Sequence, residues 1–165
     1  MIFILLTIGL LCASPAITAA DEESLITVYE VLESYDFPVG LLPKGVTSYE
    51  LDPSTGNFEV HLDQTCSFTI QGYNLKYSTK VTGTISYKRI KNLKGIQVKI
   101  LFFWINIVEV TMDGDDLYLS VGIASASFPV DNFEESPQCG CGFDCVNGEK
   151  LGKFSFDRFL PLLEA

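Results

Sequence analysis

The sequence contains a single histidine, so it offers few groups for acid–base chemistry near neutral pH. Any Ser-His-Asp or Cys-His mechanism would have to use this residue, His61. His61 shares the parity of Glu59 and Asp63 in an alternating segment, which predicts a solvent-facing position on a strand. The chain also lacks the Gly-x-Ser-x-Gly elbow of α/β-hydrolases. We therefore assign no catalytic residue and favour a non-enzymatic function.

Positive charge is scarce. The chain has 11 Lys and Arg residues against 21 Asp and Glu residues, a formal net charge of −10 at pH 7. A large negative excess repels the phosphates of nucleic acids and anionic lipids. We expect no nucleic-acid partner and no footprint for anionic lipid surfaces, whereas an apolar small molecule, a lipid or a cationic partner stays compatible with the composition.

Long apolar runs are also few. Residues 2–11 form one, broken only by Thr7 and Gly9, and small residues follow through Ala20. Although no Lys or Arg precedes it, this pattern predicts a signal peptide over residues 1–20 and a secreted, extracellular protein. Residues 100–108 fall short of the roughly 20 apolar residues that span a bilayer, so we expect no permanent membrane span. Residues 21–165 contain no linker or repeat, which predicts a single domain.

The cysteines predict disulfides. Cys12 lies in the predicted signal peptide, and Cys66, Cys139, Cys141 and Cys145 remain, an even number suited to two bonds in an oxidising compartment. The pairing stays open, but a bond between Cys139 and Cys141 would close a very tight ring. Cys66 is therefore expected to reach the cluster near the C-terminus. No Cys-x-x-Cys unit favours redox activity, and no nearby histidine favours zinc.

One cluster of carboxylates invites comparison with a calcium site. Asp113, Asp115 and Asp116 surround Gly114, but their spacing does not match an EF-hand loop. An Asp-Gly pair between two strands is typical of a hairpin turn. We therefore predict a turn there, and no metal or cofactor for the chain.

The periodicity of the remaining chain predicts an all-β fold. Apolar residues recur at helical spacing from Leu25 to Tyr35, after a candidate N-cap at Ser24, and Pro38 ends this helix. From Val46 onward, the apolar residues alternate and turns are frequent. This pattern indicates an antiparallel β-barrel or sandwich of about 8–10 short strands, with an N-terminal helix and an apolar C-terminal tail.

Residues 96–110 (IQVKILFFWINIVEV) are predicted to form one central strand that is apolar on both faces in its middle. We expect the N-terminal helix to cover its second face, since an amphipathic helix must bury its apolar stripe. The alternative is an apolar pocket with a few polar groups, formed by a set of candidate ligand-binding residues. These are Leu101, Phe103, Ile105, Ile107, Asn106, Tyr73, Tyr77 and Tyr87.

Seven segments, in order, resemble the plant family known as domain of unknown function 538. They are residues 33–38 (ESYDFP), 40–46 (GLLPKGV), 56–60 (GNFEV), 83–86 (GTIS), 93–96 (LKGI), 102–104 (FFW) and 125–130 (SASFPV). The resemblance implies a small, often secreted β-barrel or sandwich confined to plants. The family has no settled activity; likeness to lipid-binding bactericidal/permeability-increasing proteins and chlorophyll hydrolysis have both been suggested for it. It has no agreed catalytic motif.

Three functional hypotheses follow. The first is non-enzymatic binding of an apolar, lipid-like ligand or partner by a secreted plant protein. The second is hydrolysis of a large apolar ester such as chlorophyll, with His61 as the base. The third is an extracellular protein-interaction module whose protein partner the sequence does not identify. We favour the first.

Overall fold

The computed structural model describes residues 26–143. The predicted signal peptide, Leu25, Cys145 and the apolar C-terminal tail lie outside the described residues. Within 26–143, one short α-helix precedes nine antiparallel strands that form a single sheet. The helix is α1 (Val28–Ser34), and the strands are β1 (Val46–Leu51), β2 (Asn57–Leu62), β3 (Cys66–Ile70), β4 (Tyr73–Ser86), β5 (Arg89–Ile100), β6 (Phe103–Asn106), β7 (Glu109–Asp113), β8 (Asp116–Ser120) and β9 (Ser125–Pro129). The all-β prediction is confirmed; the sheet is not closed, which fits a sandwich or an open barrel.

Two long strands organise the sheet. The strand order is β1-β2-β4-β5-β7-β8-β9, with β3 added to β4 and β6 added to β5. β4 has 14 residues and β5 has 12, so each is long enough to pair with two shorter strands along its other edge. The β4–β5 hairpin is therefore the scaffold on which the rest of the sheet assembles.

A bulge bends β5 near its middle. Thr84 pairs with Lys91 but Thr82 pairs with Lys94, so β5 advances three residues where β4 advances two. A second register shift follows at Gly95, where β4 advances five residues from Tyr77 to Thr82 and β5 advances two. Gly95 has a φ of +94°, and a Cβ there would lie 2.2 Å from the carbonyl oxygen of Lys80. Only glycine fits this close backbone approach.

The helix starts later than the predicted N-cap at Ser24. Thr27 is the N-cap, and its side chain and that of Glu30 form a capping box. Val28 and Leu32 are the buried helical residues. The sequence carried this signal as Thr-x-x-Glu, which specifies a helix start more strongly than a lone serine does.

The interior is close to filled. Val28 and Leu32 help line an apolar void of about 40 Å³, together with residues of η1 (Val39–Leu41), β2, β4 and β5. A second void of about 10 Å³ lies beside Tyr73, Val98 and Phe128. The first void has room for about three water-sized molecules and the second for about one at most, so neither has room for a lipid chain.

The prediction of one strand over residues 96–110 is wrong. β5 ends at Ile100, the chain reverses at Leu101 and Phe102, and β6 returns along β5 so that Ile100 pairs with Phe103. Leu101 has a φ of +55°, in the left-handed region that favours glycine. An alternating apolar pattern is the same for one long strand and for a hairpin, and this turn contains none of the usual turn residues.

The prediction that the N-terminal helix covers the second face of residues 96–110 is also wrong, because the chain reverses at Leu101 and Phe102. Val28 and Leu32 line the same apolar void as Val60, Val81 and Ile96, and none of residues 101–107 lines it. Leu101 and Phe103 are 47% and 70% exposed, so their apolar surfaces face solvent.

Candidate functional site

The turn between β5 and β6 presents four consecutive large apolar side chains, residues 101–104, which we name the apolar tip. Phe102 is 87% exposed and Phe103 is 70% exposed, while Leu101 and Trp104 are 47% and 40% exposed. Turns are ordinarily built from small and polar residues. A contiguous exposed apolar patch commonly marks a surface that meets a membrane, ligand or partner.

The hairpin register fixes how the tip is presented. Trp104 pairs with Lys99 and Phe103 pairs with Ile100, so Trp104 and Phe103 point to opposite faces of the hairpin. Behind them, the Nε2 of Gln97 donates a 3.0 Å hydrogen bond to the Oδ1 of Asn106. The tip is therefore apolar on both faces and around its end.

Trp104 sits at the boundary between the apolar tip and positive charge. The Nζ of Lys76 lies 5.6 Å from the centroid of the indole ring, a cation–π contact. Lys76 lies on β4 and pairs with Gln97 of β5, and β5 pairs in turn with β6, which carries Trp104. The lysine side chain therefore reaches the indole ring across β5. Trp104 is also the single tryptophan of the chain, so its fluorescence reports on the tip alone.

Charge is strongly segregated around this hairpin. The sequence has no Asp or Glu between Asp63 and Glu109, and this interval contains seven of the 11 Lys and Arg residues. Strand alternation, together with the bulge between Lys91 and Lys94, turns Ile90, Leu93 and Val98 inward. Six of those cations therefore lie on the outer face of β4 and β5. We name these six the basic face: Lys76, Lys80, Arg89, Lys91, Lys94 and Lys99.

Two of the six cations are neutralised locally. Lys80 lies 2.6 Å from Glu59, and Arg89 lies 2.6 Å from Glu109. In the part of the chain that the structure describes, the other four make no ion pair. The negative net charge of the whole chain therefore does not describe the basic face, which is locally positive.

An open groove runs along the bulge of β5. It has a volume of about 880 Å³, and its lining includes Arg89, Lys91, Lys94, Asn106 and Glu109. The groove lies along residues 91–96 of β5, which pair with neither β6 nor β7.

His61 occupies the predicted outward position on β2, with its side chain 40% exposed. Its Nε2 lies 2.7 Å from the Oε1 of Glu59. The hydrogen bond from Lys80, with a smaller one from His61, lowers the pKa of Glu59. The arrangement is a cluster of charged side chains at the surface. Hydrolysis with His61 as the base stays a prediction.

The structure divides the eight candidate ligand-binding residues rather than gathering them in one pocket. Leu101 and Phe103 belong to the apolar tip, Asn106 is exposed behind it, and Ile105 is half-buried. Ile107 is buried in the core. Phe102 and Trp104 complete the tip, although the sequence pattern predicts them within one central strand. The signal that marks the tip is the run of four adjacent large apolar residues, which breaks the alternation.

The three tyrosines of that set lie in different places. Tyr77 is buried and its hydroxyl donates a 2.9 Å hydrogen bond to the carbonyl of Leu41; burial raises its pKa. Tyr73 is buried and packs edge-on against Phe128, with ring centroids 5.7 Å apart. Tyr87 is 66% exposed in the β4–β5 turn, at the other end of the hairpin from the apolar tip.

The predicted turn at residues 113–116 is present. Asp113 pairs with Asp116, and Gly114 has a φ of +59° in the two-residue connection between β7 and β8. Among residues 26–143, no group of three or more His, Cys, Asp or Glu side chains is arranged to hold a metal ion.

A disulfide joins Cys66 at the start of β3 to Cys139, with an S–S distance of 2.06 Å. The expectation that Cys66 reaches the C-terminal cluster is confirmed. Cys141 is also disulfide-bonded. The described residues contain no helix long and apolar enough to cross a membrane.

Comparison with known proteins identifies the family. The uncharacterized protein At5g01610 of Arabidopsis thaliana is 28% identical over 95 residues, which cover 57% of this chain and 55% of that protein. The chain thus matches little more than half the length of this relative. The family model described as "Protein of unknown function, DUF538" matches residues 28–134. Since that range spans α1 and all strands from β1 to β9, the chain belongs to the DUF538 family of proteins of unknown function.

Proposed function

We propose that this protein binds a lipid-like apolar ligand or surface without catalysing a reaction, and that the apolar tip makes the contact. The exposure of Phe102 and Phe103, 87% and 70%, carries the proposal. The small interior voids support binding at the surface rather than inside the sheet. A hairpin end that is apolar on both faces suits entry into an apolar phase.

The size of the tip suits reversible binding. Full transfer of a Phe or Leu side chain from water to an apolar phase contributes about 1.5–3 kcal/mol. Phe102 and Phe103 together would contribute about 3–6 kcal/mol, which corresponds to weak or moderate affinity. Partial burial of Leu101 and Trp104 adds to this.

The experiment uses Trp104 as the reporter, with neutral phosphatidylcholine vesicles as the probe. We expect vesicles to shift the emission to the blue, to protect the indole from acrylamide and to carry the protein in a flotation assay. The Phe102→Ser/Phe103→Ser variant should bind roughly a hundredfold or more weakly.

The matched control is Ile123→Ser, because Ile123 is 84% exposed in a different turn, between β8 and β9. This variant should bind vesicles as the wild type does. No vesicle binding by the folded wild-type protein, or equal binding by the tip variant, would contradict the proposal. Circular dichroism establishes that each variant is folded.

We also propose that the protein is secreted. The apolar N-terminal segment supports this, as does the Cys66–Cys139 disulfide, since such bonds persist in oxidising compartments. Expression of the full chain in plant cells should place it in the extracellular fluid, with a mature N-terminus near Asp21. Retention in the cytosol with reduced cysteines would contradict this.

A further inference from the structure

We infer that the surface recognised by the apolar tip is an anionic lipid bilayer, entered end-on by the β5–β6 hairpin, with Lys76 and Lys99 binding phosphate-bearing headgroups. This inference rests on the proposed function, because it names the partner of the same tip. It adds a specificity that the tip alone does not supply.

The first observation is the position of the charges relative to the apolar residues. Lys99 pairs directly with Trp104, and the Nζ of Lys76 lies over the indole ring at 5.6 Å. Neither lysine makes an ion pair with a described carboxylate. A layer of free positive charge therefore follows at once behind the layer of apolar side chains, the order in which a bilayer presents hydrocarbon and phosphate.

The second observation is the shape of the tip, which favours end-on entry. Phe103 and Trp104 point to opposite faces of the hairpin, and Phe102 is the most exposed of the four residues. If the basic face lay flat on the membrane, Phe103 would point away from it. End-on entry brings both faces of the tip into the apolar layer.

The third observation is the distance of each lysine from the tip, which decides which lysines can bind headgroups. Lys76 is level with Gln97, about 7 Å from Lys99 along the strand at about 3.3 Å per residue. Lys94 and Lys91 are about 17 and 26 Å from Lys99 by the same measure. The Debye length is about 8 Å at physiological salt, so an end-on hairpin leaves Lys91 and Lys94 screened from the headgroups.

A bilayer fits these observations better than a soluble polyanion does. A nucleic acid or an acidic polysaccharide would contact the whole basic face, including Lys91 and Lys94, and would leave Phe102 and Phe103 in water. Only a partner whose anionic groups lie directly beside an apolar layer can contact both the lysines and the tip.

The test compares phosphatidylcholine vesicles with and without phosphatidylserine, with Trp104 emission and flotation as readouts. We expect tighter wild-type binding to the anionic vesicles, weakened by added salt. The Lys76→Gln/Lys99→Gln variant should lose most of this preference, about fivefold per lysine, and keep its binding to neutral vesicles. The Lys91→Gln/Lys94→Gln variant removes the same charge and should retain the preference.

Several outcomes would overturn the inference. Equal wild-type binding to both kinds of vesicle would leave the proposed apolar binding intact and remove the anionic specificity. Equal losses in the two lysine pairs would exclude end-on entry. Binding to soluble dextran sulfate that is as tight as binding to vesicles, and unchanged in Phe102→Ser/Phe103→Ser, would assign the face to a soluble polyanion instead.

Discussion

The hydroxyl of Tyr77 donates a 2.9 Å hydrogen bond to the carbonyl of Leu41, which joins β4 to the turn that follows the helix. Both residues are buried, and the Tyr77 ring also stacks on Phe68 with centroids 5.6 Å apart. Tyr77→Phe keeps the stacking but leaves a buried carbonyl without this donor. We expect a loss of about 1–2 kcal/mol in the free energy of unfolding, measured by urea denaturation.

Tyr87→Phe is the control for this change. Tyr87 is 66% exposed, so removal of its hydroxyl should alter the free energy of unfolding by less than about 0.5 kcal/mol. If Tyr77→Phe were as stable as the wild type, the hydrogen bond to Leu41 would not contribute to the fold.

The role of Tyr77 shows where sequence reasoning reached its limit. Period-two alternation and frequent turns predicted the all-β fold, and the number of cysteines predicted that Cys66 reaches the C-terminal cluster. The partner of Tyr77 is 36 residues away in the sequence, however, and no local pattern specifies such a contact. A buried tyrosine that satisfies a backbone carbonyl has the same sequence signature as one that lines a pocket.

The apolar tip was missed for a different reason. Leu101 adopts a positive φ that its residue type disfavours, so the hairpin turn carries no recognisable turn chemistry. The absence of acids between Asp63 and Glu109 is visible in the sequence. Its conversion into one basic face depends on the pairing of β4 with β5 and on the bulge between Lys91 and Lys94, which the alternation pattern does not specify.

The Cys66–Cys139 disulfide should contribute strongly to stability. It spans 73 residues of sequence, and closing a loop of this length restricts the unfolded chain by about 4 kcal/mol in the chain-entropy description. We expect Cys139→Ser to lower the free energy of unfolding by about this amount in a urea titration. Cys139 is exposed, so this substitution breaks the bond without opening a cavity.

Cys66→Ala provides the comparison, because it breaks the same bond at a buried position. Its loss should exceed that of Cys139→Ser by the contribution of core packing, about 1 kcal/mol. A Cys139→Ser protein as stable as the wild type would show that the bond does not restrict the unfolded chain.

Asp52 should make the stability of the β1–β2 turn depend on pH. Its carboxylate accepts hydrogen bonds from the hydroxyls of Ser54 and Thr55, at 2.6 and 2.8 Å, and from the backbone N–H of Ser54. These bonds, that from the Ser54 hydroxyl first, lower the pKa of Asp52 from 3.8 to about 2. Because the folded-state pKa is the lower one, the stabilisation is present above pH 3.8 and is lost as the pH falls towards 2.

The measurement is the urea midpoint as a function of pH for the wild type and for Asp52→Asn. The variant should be less stable near neutral pH and should lose less stability between pH 3.8 and 2 than the wild type does. Ser54→Ala, which removes the largest cause of the shift, should fall between the two. Identical pH profiles for the wild type and Asp52→Asn would contradict this account of the turn.

Gly95 should tolerate substitution far less well than Gly45, although both have positive φ values, +94° and +103°. A Cβ at Gly45 meets no atom within 4 Å, so Gly45→Ala should cost only the backbone penalty, about 1–2 kcal/mol. A Cβ at Gly95 lies 2.2 Å from the carbonyl oxygen of Lys80, so Gly95→Ala must also displace the backbone of β4 or β5. We expect a loss of about 3 kcal/mol or more by urea denaturation. Equal losses for the two variants would mean that β4 yields freely at Lys80, and that the close approach of β4 and β5 there does not depend on glycine.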